Sequence, residues 1–144
     1  KTKIMATTTA AIQLSSDLLS DSLSVSTTTT CMKAGTTADG LDQMRMGYNE
    51  VPTGTSFDLL DATTAAIDKA NKVYICNNST DETYYVIITI DAKPIGRLYG
   101  GDWMFIPWNC DDATHDLEVQ AYTGTNDIMW MCFHEGETLG TSAD

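Results

Sequence analysis

Between residues 72 and 134 the chain alternates short apolar runs with clusters of Asn, Asp, Gly, Ser and Pro. KVYIC (72–76) ends at NNSTDE, TYYVIITI (83–90) at DAKP, and IGRLY (95–99) at a double glycine. DWMFIPW (102–108), DLEVQAY (116–122) and IMWMCFH (128–134) follow, separated by NCDDATH and TGTND. Runs of this length with turn formers between them predict an antiparallel β-sandwich or jelly roll, not βαβ units. Gly100-Gly101 and Gly124 stand where a tight hairpin turn would use positive φ.

Side chains alternate across a strand, so each run divides into two faces. In DLEVQAY, Leu117, Val119 and Ala121 oppose Glu118 and Gln120, the pattern of a strand covered on one side only. Two other runs are apolar on both sides. Trp103 and Phe105 oppose Met104, Ile106 and Trp108, while Ile128, Trp130 and Cys132 oppose Met129, Met131 and Phe133. Burying a large apolar side chain contributes about 1.5–3 kcal/mol, so three residues on one such face represent roughly 5–9 kcal/mol. Either the N-terminal half of the chain or another subunit must supply the second cover.

That N-terminal half is rich in Thr, Ser, Ala and Asp. Alternation of Leu23 and Val25 with Ser22, Ser24 and Ser26 predicts extended backbone, which β-branched Thr also favours. Residues 1–32 are therefore expected to form an extended arm and 33–144 the sandwich domain. TSFDLLDATTAAIDKANK holds either a short helix around 63–70 or a strand at FDLLD. The expected interface residues are Ile12, Leu14, Leu18, Leu19, Leu23 and Val25 on the arm. On the two-faced strands they are Met104, Ile106, Trp108, Met129, Met131 and Phe133.

Composition narrows the choice of partner. With 8 Lys+Arg against 20 Asp+Glu the net charge is -12, which opposes binding to nucleic acid or an anionic membrane surface. At 144 residues, 42% of them hydrophobic, one domain can bury a sufficient core without disulfide staples. Cys31, Cys76, Cys110 and Cys132 lie at least twenty residues apart, without the spacing of a zinc knuckle, and are expected as reduced thiols. The opening KTKIMATTTAAIQL lacks the continuous apolar run of a secretory signal, and a first residue other than Met is read as a trimmed or late start.

Catalytic patterns are absent. His115 and His134 adjoin no nucleophile elbow, and no GxSxG, HExxH or phosphate loop occurs. No enzyme activity, cofactor or small-molecule substrate is expected. Asp111, Asp112, His115 and Asp116 are the densest group of hard ligands. They lack the EF-hand register and read as a solvated turn, with calcium the sharper alternative. The glycosylation sequons at Asn77 and Asn78 read as chance matches.

One arrangement of elements carries further. A strand ends in an Asn-Ser-Thr turn (Asn77 to Thr80), and the next reaches IGRL (Ile95 to Leu98). A Gly-led aromatic strand ends in IPW (Gly100 to Trp108), followed by A-x-x-G-T (Ala121 to Thr125) and Phe133-His134-Glu135. Over about residues 72–135 this order resembles small structural proteins of tailed bacteriophage virions. The resemblance implies a capsid cement or decoration protein that binds across capsomers on the outer shell. Its partners would be the major capsid protein and further copies of itself, assembled in the host bacterial cytoplasm. A tail-associated component, or a host-glycan-binding sandwich using Trp103, Trp108 or Trp130, is the alternative.

Overall fold

The computed structural model describes residues 8–18, 23–36, 39–65 and 69–135. Among these residues ten strands form three antiparallel sheets: β1 (Thr8–Ser16), β2 (Leu23–Cys31), β3 (Gln43–Val51), β4 (Ser56–Leu60), β5 (Asn71–Asn77), β6 (Tyr85–Ile90), β7 (Lys93–Tyr99), β8 (Trp103–Pro107), β9 (Leu117–Thr123) and β10 (Asn126–His134). A front sheet has the order β3-β10-β5-β8 and a back sheet the order β4-β9-β6-β7. This interleaving of eight strands is that of a double-sheet jelly roll. The strand FDLLD prevails as β4, followed by a 3-10 turn at Ala62–Thr64 capped by the Asp61 carboxylate.

Among the described residues, only β6 and β7 form a sequence-adjacent hairpin within the sandwich. The turns at Gly100-Gly101 and Gly124 do not close hairpins, as the sequence had suggested. They carry the chain from the back sheet to the front, so that each strand's apolar face meets the opposite layer. Gly101 has φ 92° and Gly124 has φ 62°, the left-handed region that suits glycine.

The core lies between the sheets. Val51, Val73, Ile75, Ile128 and Cys132 come from the front sheet, and Val86, Ile88, Leu98, Leu117, Val119 and Ala121 from the back. A register shift between Asp58 and Leu60 turns both Leu59 and Leu60 inward. The buried residues Asn71, Asn77, Asn126 and Glu135 are hydrogen-bonded, as burial requires, whereas Arg45 Nε and His115 Nδ1 are buried without a partner. Asn77 donates from Nδ2 to the Leu98 carbonyl (3.0 Å) and to Asn126 Oδ1 (2.8 Å). Because Asn77 is fully buried, the sequon beginning there is closed in the folded chain. All four cysteines are buried and unbridged, and burial pushes the Cys132 thiol up to about 11, with Arg45 opposing the shift.

Residues Thr8–Cys31, expected as one extended arm, fold back over their described part as a two-stranded ribbon, β1 paired with β2. The register explains the pairing. Ile12 faces Thr27, Leu14 faces Val25 and Ser16 faces Leu23, which gathers the sparse apolar residues of both halves on one face.

Candidate functional site

The outer face of the front sheet is where the sequence's surplus of apolar side chains collects. Strand register aligns them in three rows: Tyr48, Met129, Cys76, Trp103; then Met46, Met131, Tyr74, Phe105; then Met44, Phe133, Lys72, Pro107. These twelve outward positions carry one charge, Lys72, and the row beyond them, Glu50 beside Asp127, is acidic. Tyr74 and Trp103 lie with ring centroids 6.2 Å apart, and burial, then the adjacent Cys76, pushes the Tyr74 phenol above its ordinary range.

The chain itself supplies part of the cover. The base of the ribbon, at Thr8 to Ile12 with Thr27 and Thr29, stands over Tyr74, Trp103, Phe105, Met129, Met131 and Phe133. Between ribbon and sheet runs an apolar cleft of about 800 Å³. Beyond the cleft the cover stops. Met44, Met46 and Tyr48 on the edge strand β3 remain 50–59% exposed, and Trp103 on the opposite edge strand β8, at the cleft's border, 54%, so exposed apolar side chains flank the partly buried methionines and phenylalanines on both sides.

The ribbon is fastened at its base. Leu41 N–H donates to the Cys31 carbonyl (2.8 Å), Lys33 N–H donates to the Asp39 carbonyl (2.9 Å), and Met32 bridges to Gly40. Lys33 pairs with Asp42 at 2.7 Å, and that partner holds the lysine above its ordinary value. Glu135, immediately after β10, is the buried anchor. Its carboxylate accepts from Ala34 N–H and Ala70 N–H and pairs with Lys69 at 3.6 Å. The acidic residue closing the Phe133-His134-Glu135 motif thus ties the ribbon's exit to the sandwich.

The expected interface residues divide sharply. Met129, Met131 and Phe133 line the cleft, and Ile12 joins them from the ribbon. Leu14, Leu23 and Val25 share the ribbon's apolar face and are 42–52% exposed, while Leu18 stands at 91%. Leu19 lies outside the described residues.

Met104, Ile106 and Trp108 are corrected. Met104 pairs with Ile75 and Ile106 with Val73, which turns both toward the core, so the outward face of β8 carries Trp103 and Phe105 instead. Trp108 is buried at the end of β8, its Nε1–H donating to the His115 carbonyl at 2.8 Å. Trp130 also points inward; its ring lies over Gly47, where a Cβ would stand 2.6 Å away, and its Nε1–H donates to Asn49 Oδ1 at 3.2 Å. Met44, Met46 and Tyr48 were missed. Their alternation with Arg45, Gly47 and Asn49 carries the strand signal, but Gly47 weakens it.

Backbone N–H groups, one from the acidic loop and one from the 3-10 turn, engage two of the loop's carboxylates. Asp112 Oδ1 accepts from Thr114 N–H (2.9 Å), which holds its carboxyl below the usual range, and Asp116 Oδ1 accepts from Ala62 N–H (2.7 Å). Among the described residues no group of three or more His, Cys, Asp and Glu side chains is placed to hold a metal ion. No described helix is long and apolar enough to cross a membrane. No protein-family model matches the chain, and the search of characterised proteins finds no match.

Proposed function

We propose that this chain is a virion structural protein, a cement or decoration subunit that binds across capsomers on the outer shell of a tailed phage and stabilises the particle. The observation that carries the reading is the outer face of the front sheet. A chain of net charge -12 keeps twelve neighbouring outward positions almost free of charge and leaves their rim open. Contiguous exposed apolar patches of this kind mark contact surfaces for other proteins. The jelly roll is an architecture shared by viral capsid and lectin domains, which adds support by analogy only. The resemblance of residues 72–135 to phage structural proteins points to the virion.

Magnitudes say how such a surface would act. Four rim side chains, each about half exposed, stand to contribute roughly 3–6 kcal/mol on full burial. Association costs about 4–15 kcal/mol in lost freedom, so the rim alone supports only weak attachment. Several contacts on a repeating shell make it durable, because each tether raises the effective concentration of the rest.

The glycan-binding alternative loses two of its three tryptophans, since Trp108 is buried and Trp130 turns inward over Gly47. The test uses shells of the phage that carries the gene. The purified chain should co-sediment with them in hundreds of copies, and Met46→Lys/Tyr48→Lys should reduce occupancy at least tenfold. Six or twelve copies per particle, located on the tail, would move the protein to the tail. No association with any part of the particle would end the virion reading.

A further inference from the structure

The jelly roll protects its own edges. Its four outermost strands are β3, β8, β4 and β7, and each carries a charge or a proline: Arg45 and Glu50, Pro107, Asp58, and Lys93 with Pro94 and Arg97. Such residues block pairing with a foreign strand. The ribbon is built the opposite way. Its two nine-residue strands, TTAAIQLSS and LSVSTTTTC, hold no charge and no proline. Each is about 30 Å long and presents roughly eight to ten backbone N–H and C=O groups along its outer edge.

Of the two strands, β2 is the more open, with every residue from Leu23 to Thr30 exposed. On the apolar face, Ile12 and Leu14 of β1 and Val25 of β2 stay 42–52% exposed as well. A two-stranded ribbon is marginal in water without a third strand or a packed face. Here the cleft covers only its base.

We infer that the open edge of β2 pairs antiparallel with β2 of a second copy of this chain, joining two ribbons into a four-stranded sheet. Charge sets where two copies can meet. Two copies each carrying -12 repel wherever carboxylates meet, and the ribbon is the longest described stretch where they approach without any. Symmetry fits too. A strand paired antiparallel with its own copy creates a two-fold contact in which each residue meets its reciprocal partner, so one edge suffices for both subunits. Pairing also makes the apolar faces of the two ribbons continuous across the joint.

The contact does not depend on a phage shell, so it can be tested apart from the proposed function. Sedimentation velocity of the full chain should show a dimer that strengthens between 50 and 500 mM salt, as screening relieves the repulsion. Ser26→Glu/Thr28→Glu adds like charges on the polar face beside the joint and leaves the apolar face and the cleft intact. It should weaken the dimer at least tenfold with an unchanged circular-dichroism spectrum. Met46→Lys, on the sandwich, should leave the dimer intact. A wild-type chain that stays monomeric at 500 mM salt overturns the inference. So does a dimer that survives S26E/T28E, or one that M46K dissolves. Loss of shell binding in M46K with the dimer retained would bear on the shell surface alone.

Discussion

On the outside of the back sheet, Thr89 donates its hydroxyl hydrogen to Glu118 at 3.1 Å, and Arg97 lies 4.8 Å over the ring of Tyr85. Tyr122 stacks on that same ring, with Gln120 accepting its hydroxyl hydrogen. The corresponding face of the front sheet carries Met44, Met46, Met129, Met131, Phe105 and Phe133, with Lys72 as the one charge among them and the carboxylates of Glu50 and Asp127 at one end. Both sheets contribute apolar inner faces to one core. The difference therefore has little to do with holding the jelly roll together. It determines which side can remain in water alone and which needs cover, and the ribbon supplies that cover in part.

Removing residues 1–30 puts this contrast under the greatest stress. The truncation ends before Cys31, whose carbonyl belongs to the fastening loop. It uncovers Met129, Met131 and Phe133, and the shortened chain should keep its β spectrum yet aggregate at concentrations where the full chain stays clear by light scattering. A monodisperse truncation would mean that the front face tolerates water as well as the back.

Next in size are substitutions on the two faces of β10. Ile128→Ala removes a fully buried side chain and should cost about 2–5 kcal/mol in denaturant unfolding. Met131→Ala, on the partly covered outer face, should cost well under half as much. Gly47→Ala sets a Cβ 2.6 Å from the Trp130 ring and should cost roughly 1–3 kcal/mol, with a shift in tryptophan fluorescence.

The smallest effect concerns Asp58, beside Asp116 and Glu118. Burial, then those two carboxylates, raises its pKa above the ordinary 3.8. A raised folded value favours the protonated form on folding. The stabilising contribution is therefore complete below 3.8 and disappears as pH rises through the folded value. Asp58→Asn should raise the melting temperature slightly at neutral pH and leave it unchanged below about pH 3.8. Calorimetry across that range checks the sign. A lower melting temperature at neutral pH would show the carboxylate to be favourable where it stands.

Much of the jelly roll was readable along the chain. The runs at 72–76, 83–90, 95–99, 102–108, 116–122 and 128–134 fall on β5 to β10 within about two residues, because turn formers bracket each one. The inward face of β9 was also readable, since Glu118 and Gln120 leave only one side for the core. For β8 the pattern was ambiguous. With Trp103 and Phe105 on one side and Met104 and Ile106 on the other, hydrophobicity cannot rank the two faces, and pairing with Val73 and Ile75 decides.

Alternation along a strand specifies two faces and their composition, which is why the chain alone implied an all-β fold with more apolar surface than one core absorbs. It does not specify which strand lies alongside, because partners distant in sequence meet only through packing. Tertiary structure alone therefore set Gly100-Gly101 and Gly124 as crossings between layers, folded the Thr-rich segment back on itself, and placed its base over Met129, Met131 and Phe133.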